Sequence, residues 1–432
     1  MFESLSALRN AFKLPDLRNR IYYVGLMFAV FVFGLHIPVP NIDREAMARL
    51  LEQSGALLGL FDAFSGGALK RFSIFAMSIT PYINASIIFQ LLGMASPTIQ
   101  GWAKEGEAGR RRIGTWTRYL TIALALFQAG GISYVLYRRG IVQVDTVVEL
   151  VPIVLTLTAG TCFLMWLGEQ ITDRGIGNGV SLIIFAGIMA RMPSDIYKTL
   201  VAMQAGAFQI WQLGLLMLFF VGTIMGIIYV QQGQRKIPIQ HAKRVIGNRI
   251  YGGTSSYLPL RVNTAGVIPI IFAISVSMLP GTLGTFLAQT GWQGMLRGWM
   301  EPLMPGASFW GSAIYFMLVI GFTYFYTAVT FNVPDVSDNL KRSGGYIPGI
   351  RPGKPTTDFL DRVLTRITLA GAVFLGVIAL LQYYVPSITG IPTSSFSLVG
   401  GTSLLIVVGV ALETMQQIET HLVMRHYEGF IK

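Results

Sequence analysis

Ten stretches of this chain are apolar and free of ionised side chains: 21–37, 73–93, 119–137, 151–168, 179–190, 211–230, 264–282, 309–331, 367–385 and 398–412. A helix rises 1.5 Å per residue, so most of these runs can cross the roughly 30 Å of hydrocarbon in a bilayer. The pattern predicts an all-α, polytopic membrane protein with ten spans. The fifth run is short for a complete crossing, and its ends are poorly marked.

Composition agrees with that reading. Hydrophobic residues make up 53% of the 432 positions and charged residues only 12%, against about 25% charged in an ordinary globular domain. In water such a chain could not hide its apolar surface. Of its 33 Lys and Arg, 24 fall in segments 1–20, 94–118, 169–178, 231–263, 332–366 and 413–432, and nine in the alternate ones. Cytoplasmic segments retain positive charge, so both termini are expected on the cytoplasmic side. The net charge of +12 then belongs to one face, whose partners should be acidic: anionic lipid or nucleic-acid phosphate. No small-x-small cleavage site follows His36–Pro40, so the first run is expected to be a retained helix, not a signal peptide. The single cysteine, Cys162, lies in an apolar run. It allows no intrachain disulfide or multi-cysteine metal site and reads as a small core residue.

Ten spans invite a search for two five-span repeats of opposite orientation. The second span reads Ile79-Thr80-Pro81-Tyr82-Ile83-Asn84-Ala85 and the seventh Ile268-Pro269-Ile270-Ile271-Phe272-Ala273. In both, Ile follows the proline by two residues and Ala by four. True repetition and chance likeness among Ile-rich helices explain this equally well.

Three connections exceed simple turns. Segment 38–72 holds a polar helical stretch, Arg44 to Gln53, then LFDAFSGGALK from Leu60 to Lys70, too short to span. Its Phe61, Phe64 and Leu69 are apolar, and Gly66-Gly67 permits a sharp change of direction. A re-entrant segment and a surface loop both fit. Segment 231–263 carries Arg235, Lys236, Lys243, Arg244, Arg249 and Arg261, with β-like stretches at Ile237 to Ile239 and Arg249 to Tyr251 and a turn at Gly252-Gly253. Segment 332–366 carries Lys341 and Arg342, then GYIPGIRPGKP with Arg351 and Lys354. Its prolines preclude a continuous helix and hold Arg351 out on a stiff loop. The positive-inside rule explains the charge of these two segments but not their length, which suggests docking surfaces.

Catalytic signatures are absent: no GxxxxGK[ST], HExxH or GxSxG occurs, and His36, His241, His421 and His426 lack ligand spacing. The protein is expected not to be an enzyme and to carry no cofactor or metal. Gly175-Ile176-Gly177-Asn178-Gly179 follows a membrane helix, so it reads as a tight turn and not as a dinucleotide fingerprint. Coupled transporters place Asp, Glu, His, Lys or Arg inside their spans, and the interiors of the ten runs hold none of these. A pathway with an apolar barrier remains, able to stop water and ions by dewetting yet yield to a larger solute.

Six strings carry a resemblance: FSGGALKRFSIFAMSITPYINASIIFQLL (64–92), KEGEAGRRRIGTWTRY (104–119), FLMWLGEQITDRGIGNGVSLIIFAGI (163–188), LPLRVNTAGVIPIIFA (258–273), FNVPDVSDNLKRSGGYIPGIRPGKPT (331–356) and GGTSLLIVV (400–408). Together they resemble bacterial SecY, the central subunit of the Sec protein-conducting channel, over nearly the whole chain. The resemblance implies a clamshell of two inverted five-helix halves, here 1–190 and 191–432, with a re-entrant plug helix at about 59–71. It implies a pore ring of Ile79, Ile83, Ile184, Ile271 and Ile406, and a plug containing Phe61, Phe64, Ser65, Gly66, Gly67, Ala68 and Leu69. The second and seventh spans would form a lateral gate with Asn84, Gln90, Ser275 and Leu279 on it. Arg235, Lys243, Arg244, Arg249, Lys341, Arg342, Arg351 and Lys354 would meet the ribosome or the SecA motor. SecE and SecG subunits, signal peptides and nascent chains are the further partners implied, in the bacterial cytoplasmic membrane. From span count alone, a secondary transporter with five-plus-five repeats is the alternative.

Overall fold

The computed structural model describes residues 12–53, 62, 65–206, 209–241, 244–246, 249–251, 255–287, 306, 308–390 and 401–428. Each of the ten apolar runs carries a helix. In chain order the helices are α1 (Pro15–Gly34), α2 (Arg44–Gln53), α3 (Ala68–Arg71), α4 (Thr80–Ala95), α5 (Pro97–Lys104), α6 (Glu107–Arg138) and α7 (Leu150–Arg174). They continue with α8 (Gly179–Gln204), α9 (Ile210–Gln232), α10 (Ile268–Leu287), α11 (Phe309–Thr330), α12 (Val333–Arg342), α13 (Lys354–Thr389) and α14 (Gly401–Glu428). Five short strands interrupt the series: β1 (Gln234–His241), β2 (Arg244–Ile246), β3 (Arg249–Tyr251), β4 (Ser255–Arg261) and β5 (Gly345–Tyr346). Among the described residues, seven helices are long and apolar enough to cross a membrane. This is an all-α membrane protein carrying a small β element between its helices.

The chain divides into two compact units, one of 1–213, 278–297 and 390–432, the other of 214–277 and 298–389. In the first, α6 packs on α4 and α7, α7 on α1 and α8, and α8 on α1 and α14. Lipid offers no hydrophobic drive between helices, so small and hydroxyl-bearing residues let them close together. Ala125 and Ala129 of α6 and Gly160, Thr161 and Gly168 of α7 are buried accordingly. The hydroxyls of Thr121, Thr158 and Thr161 donate to carbonyls four residues back, which satisfies these three groups within their own helices. The turn Gly175 to Asn178 is tight, as its glycines predict. Asn178 Oδ1 accepts the amides of Val180 and Ser181 and caps α8, while the Gly177 amide donates to Gln417 Oε1 of α14 at 2.8 Å.

In the second unit α11 lies along α13, and α12 rests on α13 and β5. The sheet order is β4-β1-β5, antiparallel throughout, with Ile237 opposite Leu258 and Gln240 opposite Tyr346. Ile237 and Ile239 point inward between exposed neighbours, the alternation of a half-buried strand. They confirm the first of the two β-like stretches; β3 is the second. The Gly252-Gly253 turn lies outside the described residues. On α9, Leu218, Val221, Met225 and Tyr229 form an exposed stripe spaced as one helix face, which suits lipid.

The run 73–93 is not helical throughout. Ser73 forms an antiparallel bridge with Pro38, residues 74–79 are turns, and α4 starts at Thr80. Phe72 and Ser78 adopt left-handed φ of 44° and 54°, and the Ile74 amide donates to the Ile37 carbonyl instead of starting a helix. The Phe75 ring stacks between Phe31 and Phe163 at 5.9 and 6.0 Å. α4 and α10 both begin one residue before their proline, at Thr80 and Ile268. The shared Pro-x-Ile spacing therefore marks the first turn of each, where proline fits a helix best.

Candidate functional site

The fifth run does not end at Met189–Ala190. Its helix, α8, continues to Gln204, about 39 Å at 1.5 Å per residue, and takes in Arg191, Asp195 and Lys198. Ile184, Gly187, Arg191, Asp195 and Lys198 recur at intervals of three or four, so they share one face. The ionised residues missing from the apolar runs thus enter a span-length helix, at the end the hydropathy pattern cut off.

The short segment around α3 lies on that face. Gly66 has φ +70°, and a Cβ there would sit 3.0 Å from both Cα and O of Gly187, so only glycine allows this approach. One turn further along α8, Arg191 Nη1 meets Asp62 Oδ2 at 3.1 Å while its Nε meets Asp195 Oδ2 at 3.0 Å. Lys198 Nζ lies 3.5 Å from Asp195 Oδ1. Both carboxylates are buried, Asp62 at 5% and Asp195 at 3% exposure.

Asp62 also organises the segment itself. Its carbonyl accepts the Gly67 amide at 2.8 Å and the Ser65 hydroxyl at 3.1 Å, and its Oδ1 accepts the Lys70 amide at 2.8 Å. Burial pushes the Asp62 carboxyl above the usual carboxylate range, against the pull of the Arg191 guanidinium, the Lys70 amide and the Lys70 and Lys198 charges. On its other side the segment joins an apolar cluster: Leu69 and Phe72 pack with Met47, Ala129, Leu136 and Leu157 among others. The segment is therefore wedged between an apolar cluster and a charged helix face.

Of the residues singled out from the sequence, Ser65, Gly66, Gly67, Ala68 and Leu69 belong to this seat, and Ser65, Ala68 and Leu69 are buried. Phe61 and Phe64 lie outside the described residues. Ile79, Ile184 and Ile406 are buried and Ile83 is half-buried in the first unit; Ile271 is half-buried in the second. Asn84 and Gln90 lie on α4, where Gln90 Nε2 donates to Ser86 Oγ at 3.3 Å and its Oε1 has no hydrogen-bond partner among the described residues. Ser275 and Leu279 lie on α10, and the Leu279 side chain is outside the described set. Asp62, Gly187, Arg191 and Asp195 were not anticipated. The signal for Arg191 and Asp195 was present, since opposite charges four apart mark a helix face.

The described cations singled out for docking lie in the second unit. Arg235, Lys236, Lys341, Arg342, Arg351 and Lys354 are all exposed, and none forms an ion pair among the described residues. Arg244 and Arg249 lie on β2 and β3, their side chains outside the described set, as is all of Lys243. The loop bearing Arg351 is held by its backbone. The Ile350 amide donates to the Ile347 carbonyl, Thr356 Oγ1 to the Arg351 carbonyl at 2.9 Å and Ser337 Oγ to the Gly353 carbonyl at 3.2 Å. Beneath lies a cluster of Ile237, Leu260, Val333, Ile347, Leu360 and Leu364. No helix runs through 343–353, as its prolines require.

The SecY family profile matches residues 73–415. The protein translocase subunit SecY of Thermotoga maritima is 45% identical over 436 residues, covering 99% of this chain and 97% of that protein. A solved SecY, described as having a plug domain that stabilises the closed state of the translocation channel and maintains a membrane seal, superposes with a TM-score of 0.67. It is 17% identical and covers 96% of this chain and 97% of its own. Sec61 of a canine ribosome–channel complex superposes at 0.64, with 16% identity and the same coverage. The structural likenesses, at such low identity, show the fold, and the profile and the full-length relative place this chain in the SecY family.

Proposed function

We propose that this chain is the channel subunit of a protein translocase. It passes unfolded secretory polypeptides across a bacterial cytoplasmic membrane and releases apolar segments sideways into the lipid. The observation that carries this reading is a short segment lodged on a span-length helix, in a chain 45% identical along its length to a protein translocase subunit.

In this reading Ile79, Ile83, Ile184, Ile271 and Ile406 form an apolar gasket around the moving chain, stopping ions by dewetting. The 62–71 segment is the plug of the resting channel, and α4 and α10, with Asn84, Gln90, Ser275 and Leu279, form the lateral gate. The cations of the second unit face the cytoplasm with both termini, and there meet SecA or the ribosome. Contacts to ribosomal RNA would make that binding steeply salt-dependent. SecE and SecG complete the channel, anionic lipids surround it, and energy comes from the partners because the chain has no nucleotide-binding motif.

Proteoliposomes containing this chain with SecE, supplied with SecA and ATP, should protect a signal-bearing precursor from added protease. Uptake of a small solute without precursor protection would contradict the proposal.

A further inference from the structure

We propose that Arg191 is a positioning residue for the 62–71 segment: its guanidinium is what allows Asp62 to be buried on α8. The functional consequence rests on reading that segment as the plug.

Within the seat, the Lys70 amide that binds Asp62 belongs to the segment itself and travels with it. Arg191 belongs to α8 and stays behind. The Arg191–Asp62 pair, at 3.1 Å, is thus a direct polar link between the two elements, beside the Gly66–Gly187 apposition. A buried ion pair adds little net stability because both ions lose water, but deleting one partner strands the other charge. The two partners are therefore unequal. Removing the Asp62 charge leaves Arg191 bound to Asp195, a satisfied arrangement. Removing the Arg191 charge leaves Asp62 facing only weaker compensation from Lys70 and Lys198, and Asp195 held by Lys198. The carboxylate then regains water most easily by lifting the segment off its seat.

The test uses the full chain with its SecE partner, Cys162→Ala and Ser65→Cys, in proteoliposomes. Ser65 is 2% exposed when the segment is seated, so labelling by a membrane-impermeant thiol reagent reports seating without assuming a channel. Resting ion leak and precursor protection are measured alongside. Arg191→Gln should raise labelling and leak by roughly tenfold or more. Asp62→Asn, which keeps one acceptor oxygen where the carboxylate offers two, should raise labelling less than Arg191→Gln does, and the Asp62→Asn/Arg191→Gln double variant should fall back to the Asp62→Asn level, because no charge is then stranded at Asp62. Acidifying the side exposed to the reagent should reseat Arg191→Gln but not change the double variant. The sign follows from the raised pKa of the seated carboxyl: seating is favoured while Asp62 is protonated and lost as pH rises through that pKa.

Labelling of Arg191→Gln equal to the parent would overturn the inference. So would a double variant as labelled as Arg191→Gln, since lost side-chain volume is not restored by changing Asp62. If Arg191→Gln cannot be recovered folded, recovery of the double variant supports the inference and its failure overturns it. A parent that shows charge rescue in labelling but never protects a precursor would reject the channel reading and keep this one.

Discussion

Two of the charged clusters in this molecule are built in opposite ways. In the first unit Asp62 and Asp195 are buried and bonded to the half-buried Arg191. In the second, Arg235 on β1, Lys341 and Arg342 at the end of α12, Arg351 on the braced loop and Lys354 at the start of α13 are exposed. Buried charges cost desolvation and return position, so the first cluster locates an element. Exposed charges keep their hydration and their field, so the second is suited to meeting a partner. A family of cations is thus divided between holding and docking by solvent exposure, not by residue type.

The largest effect that would test this division comes from Arg351→Glu. Reversing an interfacial charge that a partner binds costs about 2–5 kcal/mol, more than tenfold in affinity. SecA- or ribosome-driven translocation should fall by that order while membrane assembly of the chain and protection of residue 65 stay unchanged. Normal translocation would remove the docking half of the comparison.

A smaller effect separates two adjacent glycines on the other side. Gly66→Ala must place a methyl 3.0 Å from the Gly187 backbone at φ +70°, whereas Gly67→Ala meets open space at φ +81°. Left-handed strain at a non-glycine residue costs on the order of 1–3 kcal/mol, and Gly66→Ala adds the clash. Labelling of position 65 should therefore rise several-fold more in Gly66→Ala than in Gly67→Ala. Equal labelling would show that the approach to Gly187 does not hold the segment.

Hydropathy made the helices legible, because spans must be apolar over a length the bilayer sets. It also located β1 and β3 through short β-branched stretches between turn residues. It misplaced the end of α8 because a window stops at the first ionised residue, and Arg191 ended the run although the helix goes on to Gln204. Asp62 lies 129 residues from Arg191, and nothing local in either stretch announces a partner so distant. The irregular start of 73–93 escaped for a related reason: its apolar residues pair with 37–39 and stack on Phe31 and Phe163. Periodicity records which face is apolar, not what covers it. The resemblance named Gly66 and Leu69 as plug residues, but the glycine's reason is the backbone of Gly187.

The central proposal is that a polypeptide passes along Ile79, Ile184, Ile271 and Ile406. A precursor stalled in transit, with photo-crosslinkers placed in turn at 79, 184, 271 and 406 and at the exposed α9 positions Leu218 and Tyr229, tests it most directly. The account predicts precursor adducts at all four isoleucine positions and none at 218 or 229. Adducts at the α9 positions, with none at the isoleucines, would contradict it.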